Sequence, residues 1–128
     1  MFIRFVVSEI DPNSGRRQGL FQAAARLRDS SDISPADRES LDEIAEGFSK
    51  NLEKPTELSI SRRPHGKAQA ISWFKETAGA HIGRMRQFAG VLLSYDIAVE
   101  TLVSRRPGYV VYEDEFQIAA YPFKDTVT

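Results

Sequence analysis

Apolar residues in this chain come in short runs, and the period of the runs switches between two and three-and-a-half along the sequence. Phe2 to Ser8 is rich in β-branched and aromatic side chains and reads as a strand, with Phe2, Val6 and Ser8 facing one way and Ile3, Phe5 and Val7 the other. Apolar groups on both faces predict a central strand. Asp11-Pro12-Asn13-Ser14-Gly15 is a dense turn signal, after which Leu20, Phe21, Ala24 and Leu27 recur at helical spacing. Ser34-Pro35 with Asp37 supplies an N-cap, a first-turn proline and an acidic first turn. Leu41, Ile44, Ala45, Phe48 and Leu52 then share one face of a second helix. Leu58 to Arg62 and Ala70 to Glu76 read as strands. Thr77 caps a third helix with Ala78, Ile82, Met85, Ala89 and Leu92 on its apolar stripe, and Gly79 and Gly83 there would allow close approach by another element. Ala98 to Ser104, Tyr109 to Glu113 and Phe116 to Tyr121 close the chain as three short strands. The order predicts an α+β domain spanning residues 1–128: about three helices packed on a mixed or antiparallel sheet of roughly five strands, ending in a β-meander.

Composition narrows the function classes. A chain of 128 residues is long enough to bury a full core. With no cysteine, disulfide frameworks and thiolate chemistry are excluded and a reducing compartment is expected. Phe2 to Ile10 is too short and too interrupted for a signal-peptide core, and no run approaches the roughly twenty apolar residues of a membrane helix. The expectation is therefore a soluble cytoplasmic protein with no membrane association. The net charge of −1 hides a segregation: nine acids against three bases from Asp29 to Glu57, and eight bases against three acids from Leu58 to Pro107.

The positive segment contains the same tetrapeptide twice, Ser61-Arg62-Arg63-Pro64 and Ser104-Arg105-Arg106-Pro107, each ending an apolar run. Both read as a strand that ends in two guanidiniums and a proline that stops the ladder. If the two ends share a sheet edge, Arg62, Arg63, Arg105 and Arg106 converge on a phosphate or carboxylate, with His65 and Lys67 alongside. Nucleic acid is not the expected ligand, because Trp73 and Phe74 do not interleave with the arginines as a stacking platform would. A second reading is a homodimeric or partner-binding module that uses Trp73, Phe74 and the last strand as an edge.

His65 and His81 lack metal-ligand spacing, so no metal is expected, and His81 reads as a half-exposed helix residue. No phosphate loop or nucleophile elbow occurs, and the residues call for no cofactor. Glu113-Asp114-Glu115 falls between two strands, where alternation points Glu113 and Glu115 to one side. Arg4, Ser59-Ile60-Ser61 and Glu113-Asp114-Glu115 stand in an order that resembles the mono-ADP-ribosyltransferases of the Arg-Ser-Glu type, with Ile60 where that family has threonine. The resemblance implies an enzyme in which Arg4 holds a nicotinamide nucleotide's phosphate, Ser59 supports the pocket, and Glu115, with Glu113 beside it, stabilises the ribosyl cation.

Overall fold

The computed structural model describes residues 1–12, 15–53 and 70–128. Strand β1 (Phe2–Ile10) is followed by a short strand β2 (Arg17–Gly19), helices α1 (Leu20–Arg28) and α2 (Pro35–Asn51), strand β3 (Ile71–Lys75), helix α3 (Gly79–Leu93), and strands β4 (Glu100–Ser104), β5 (Tyr109–Glu113) and β6 (Gln117–Tyr121). The class is α+β, three helices and a six-stranded antiparallel sheet among the described residues, and the chain closes in three consecutive strands. None of the described helices is long and apolar enough to cross a membrane.

β1 is the hub of the sheet, as apolar groups on both its faces require. One edge pairs with β4, from Phe2 opposite Ser104 to Val6 opposite Glu100. The other edge is shared: β3 lies opposite Phe2 and Ile3, and β2 begins only at Val6, opposite Gly19. Arg4 and Phe5 fall between them, where that edge has no strand. β6 pairs with the far side of β3 and β5 with β6, so β5 and β6 form a hairpin while β4 lies across the sheet from them.

Alternation along the strands splits the apolar side chains between two cores. Phe5, Val7 and Phe74 face the helices and meet Leu20, Leu27, Leu41, Phe48, Ile82, Met85, Phe88 and Leu92. Val6, Ile71, Trp73, Leu102, Ile118 and Ala120 form a second cluster on the opposite face, with Phe2 packed against it. Residues 122–128 lie by that face and its rim: Asp125, Thr126 and Val127 line a cleft with Leu102, and Arg17 Nε donates to the Thr128 main-chain oxygen at 3.2 Å.

Local signals explain the helix starts. Ser34 Oγ accepts from the Asp37 amide at 3.1 Å and Pro35 occupies the first turn of α2, as expected of that sequence. The Tyr95 hydroxyl donates to Asp37 Oδ2 at 2.6 Å and accepts from the Ser34 amide at 3.0 Å, which ties the end of α3 to the start of α2. Helix α3 departs from expectation. Its N-cap is Ala78, with no side-chain cap, because the turn is closed by the Ala78 amide donating to the Lys75 carbonyl. Space for a Cβ is open at both Gly79 and Gly83, so neither marks a close approach.

The edge reading of Trp73, Phe74 and the last strand is corrected, and one short strand is added to those expected. Trp73 is 2 % exposed and Phe74 5 %, since β3 is an interior strand whose alternate side chains enter the two cores. β6 is likewise flanked on both edges and buried throughout, so Trp73, Phe74 and the last strand offer no free edge. β2 was not predicted: three residues are too few to show alternation, and its pairing with β1 comes from the turn in which Gly15 takes a φ of 68°.

Candidate functional site

The second Ser-Arg-Arg-Pro segment is built as a rigid corner. Ser104 ends β4, Arg105 and Arg106 are exposed, and Pro107 is among the fully buried residues. Gly108 follows at φ 156°, with its ideal Cβ position 1.7 Å from the Tyr121 carbonyl oxygen, so only glycine lets the loop pass so close to the end of β6. The Arg106 guanidinium lies over the Phe123 ring, 5.4 Å from its centroid, and Phe123 meets Tyr109 edge-to-face at 4.9 Å. A stacked guanidinium keeps its in-plane donors available for a carboxylate or phosphate. Beside it opens a cleft of about 440 Å³ lined by Thr101, Ser104, Arg106, Asp125 and Thr126 among others.

Several surface cations away from this corner are matched by carboxylates. Arg17 pairs with Glu100, Arg26 with Glu9, Arg28 with Asp42, Lys50 with Glu46 and Lys75 with Glu113. Among the described residues neither Arg105 nor Arg106 has a carboxylate partner. The first copy of the motif, with Arg62, Arg63, His65 and Lys67, lies outside the described residues.

The residues of the ribosyltransferase-like reading are spread over the sheet. Arg4 is on β1 and Glu113 on β5, in one cross-sheet row whose intervening members are Trp73 and Ile118, paired with each other, and Ile118 is paired with Glu113. Three strand spacings put their backbones about 14 Å apart. Glu113 accepts instead from Lys75 Nζ at 2.6 Å, Glu115 is exposed in the β5–β6 turn, and Ser59 lies outside the described residues.

Asp114, between the two glutamates, is the engaged carboxylate. It accepts from the Tyr112 hydroxyl, the amides of Phe116 and Gln117, and the Gln117 side chain, at 2.8 to 3.0 Å. Burial works against its ionisation, but those four bonds prevail and hold its pKa below the usual carboxylate range. Gln117, itself buried, passes the link on by donating Nε2 to the Glu53 carbonyl at 2.5 Å. The arrangement locks the hairpin onto the end of α2 and leaves the carboxylate no free lone pair aimed at a reactant.

His81 also differs from expectation. It is 2 % exposed, in a triangular cluster with Phe48 and Phe74, whose ring centroids lie 5.6 and 6.1 Å away, and capped edge-on by Phe116 at 4.8 Å. Burial first, and the Arg84 guanidinium second, push its pKa below the usual histidine value, while the Asn51 main chain and Asp114 oppose them. Arg84 Nη1 lies 3.0 Å from Nδ1. A guanidinium only donates, so Nδ1 accepts and the ring is the neutral Nε2–H tautomer. No sequence pattern announced this, because the ring enters the core only when α2, β3 and the β5–β6 turn close around it. Among the described residues no group of three or more His, Cys, Asp or Glu side chains is placed to hold a metal ion.

The chain matches no protein-family model, no curated protein and no solved structure.

Proposed function

We propose that the protein binds a small phosphate- or carboxylate-bearing ligand at the β4–β5 corner, where Arg105 and Arg106 supply the anion contact. The observation that carries this reading is the absence of any carboxylate partner for either guanidinium among the described residues, beside a cleft of about 440 Å³. Five side-chain cations elsewhere on the surface already hold a carboxylate, and among the described residues these two do not, so both remain available to an incoming anion. The hydroxyls of Thr101, Ser104 and Thr126 line the same cleft and can donate to further oxygens of the ligand. Asp125 on the cleft wall favours a ligand that carries a hydroxyl or amine donor as well as its anion.

A thermal-shift screen against phosphate, sugar phosphates, nucleotides, nicotinamide dinucleotides and polyfunctional carboxylates tests the reading. A ligand at a hundred times its dissociation constant stabilises the native state by about 2.7 kcal/mol, on the order of 5 to 10 °C for a domain of this size. The shift should vanish in the Arg105→Ala/Arg106→Ala variant while its unliganded melting temperature stays within a degree or two of the parent. A shift that survives in that variant, or no shift with any compound, rejects the site.

A further inference from the structure

Among the described residues three strands, β2, β4 and β5, have a single partner each, and they differ in how they present the open edge. The β1–β2 and β5–β6 registers both shift, between Val6 and Ile10 and between Val110 and Tyr112, and such an irregularity twists an edge away from further pairing. β4 instead runs in unbroken register along β1, from Glu100 to Ser104. Thr101 to Ser104 contains neither a charge nor a proline to block its outer edge. Thr101 is exposed, and Val103 is 55 % exposed.

The cleft beside Arg106 lies along this edge. Thr101, Leu102, Val103 and Ser104 line it in succession, together with Arg106 and Asp125. Successive side chains of a strand point to opposite faces, so a cleft that meets all four meets the strand at its main-chain edge. An open edge presents unpaired N–H and C=O groups, which another extended backbone satisfies and a sugar phosphate does not. Charge then selects the end of that backbone. Arg105 and Arg106 follow directly on Ser104, whereas Asp125 lines the same cleft and repels a ligand that is anionic throughout. A chain with one terminal carboxylate meets the arginines without that penalty. Resting on the anion reading of this corner, we propose that the cleft takes the C-terminal segment of an extended peptide, added as a strand beside β4 and parallel to it, with its terminal carboxylate held by Arg105 and Arg106. The exposed Val103 favours β-branched or other apolar residues in that segment.

The probe is a positional-scanning library of fluorescein-labelled hexapeptides with free C-termini, read by fluorescence anisotropy. The sequence that binds best is remade with an amidated C-terminus, and again with N-methyl groups on one or the other alternate set of its peptide nitrogens. An added strand turns the N–H groups of alternate residues toward β4. One methylated frame should therefore lose affinity by at least about tenfold while the other keeps it. Amidation and Arg105→Ala/Arg106→Ala should each weaken binding by at least about tenfold, the equivalent of one charge-assisted hydrogen bond. A library in which no pool binds saturably overturns the proposal, and a melting-temperature shift with phosphate or a small carboxylate would then leave the anion reading standing without it. Equal effects of the two methylated frames overturn it by removing the strand, and binding that survives amidation or a folded arginine variant overturns it by removing the anchor. Because amidation alters the peptide alone, a misfolded arginine variant does not rescue it.

Discussion

His81 is neutral in the folded protein because its ring is stacked among Phe48, Phe74 and Phe116 and accepts from Arg84 at Nδ1. In the unfolded chain it titrates near 6.5. Its folded pKa lies below that value, so the unfolded state takes up a proton first as the pH falls. Stability is fully present above about pH 6.5 and declines from there toward the folded pKa. The melting temperature should therefore drop between pH 7 and pH 5.5, and the drop should be visibly smaller in His81→Phe, which keeps an aromatic ring in the stack and removes the titration. Circular-dichroism melts across that interval check it, and parallel slopes for the two proteins would contradict the assignment. Asp37 and Asp114 belong to a different window. Their pKa values are lowered by hydrogen bonds, from Tyr95 and Ser34 in the first case and chiefly from Gln117, Phe116 and Tyr112 in the second. The stability they contribute is lost only as the pH falls below about 4.

The β4–β5 connection orders the arginine corner through one close approach. A Cβ at Gly108 would lie 1.7 Å from the Tyr121 oxygen and 2.4 Å from its carbonyl carbon, both main-chain atoms that cannot swing aside. Gly108→Ala should cost at least about 2 kcal/mol in urea denaturation, since the loop must lift off β6 and take Pro107 out of its buried position. Gly90→Ala is the matched control. It sits inside α3 with open space around its Cβ, and it should stabilise by about 0.5 to 1 kcal/mol through helix propensity alone. The contrast shows which features could be read in advance. The Ser34-Pro35-Asp37 start of α2 was legible because an N-cap is a contact between residues three apart. The need for glycine at position 108 was not, because Tyr121 lies thirteen residues on and comes near only when β5 folds back on β6. For the same reason the duplicated Ser-Arg-Arg-Pro was visible as a pattern, while its stacking on Phe123 and its lack of carboxylate partners depend on residues from the end of the chain. Glu113 and Glu115 drew attention as alternating carboxylates, yet the hairpin uses Asp114, whose hydrogen bonds form only once Gln117 turns inward.

The sheet separates the molecule into two cores that carry different reporters. Alternation in β1 was readable residue by residue and placed Val6 and Phe5 on opposite faces, but in β3 Ile71, Trp73 and Phe74 satisfy either period, and the strand order was not readable: β4 could have joined β5, and its place on β1 reflects long-range pairing that short runs do not encode. Once the order is known, the two faces become separately testable. Leu102 shares the cluster of Trp73 on the face away from the helices, and Phe48 shares the helix-side cluster and stacks on His81. Leu102→Ala should cost about 2 to 5 kcal/mol and Phe48→Ala about 3 to 5 kcal/mol, so stability alone does not tell them apart. Their spectra do. Leu102→Ala opens a void next to the single tryptophan and should shift its emission to longer wavelength while leaving the His81 titration where it was. Phe48→Ala removes one wall of the histidine stack, admits water to the ring and should raise the His81 pKa toward its unfolded value, with the Trp73 emission unchanged. Measured together in folded samples at neutral pH, fluorescence and the histidine Cε1–H resonance give a two-by-two pattern with its responses on the diagonal. If either substitution moves both reporters equally, the two clusters behave as one core and the sheet does not insulate them. A diagonal result means that the arginine corner, whose cleft reaches Leu102 on the Trp73 side, can be altered without disturbing the helix-side packing that holds α1, α2 and α3 in place.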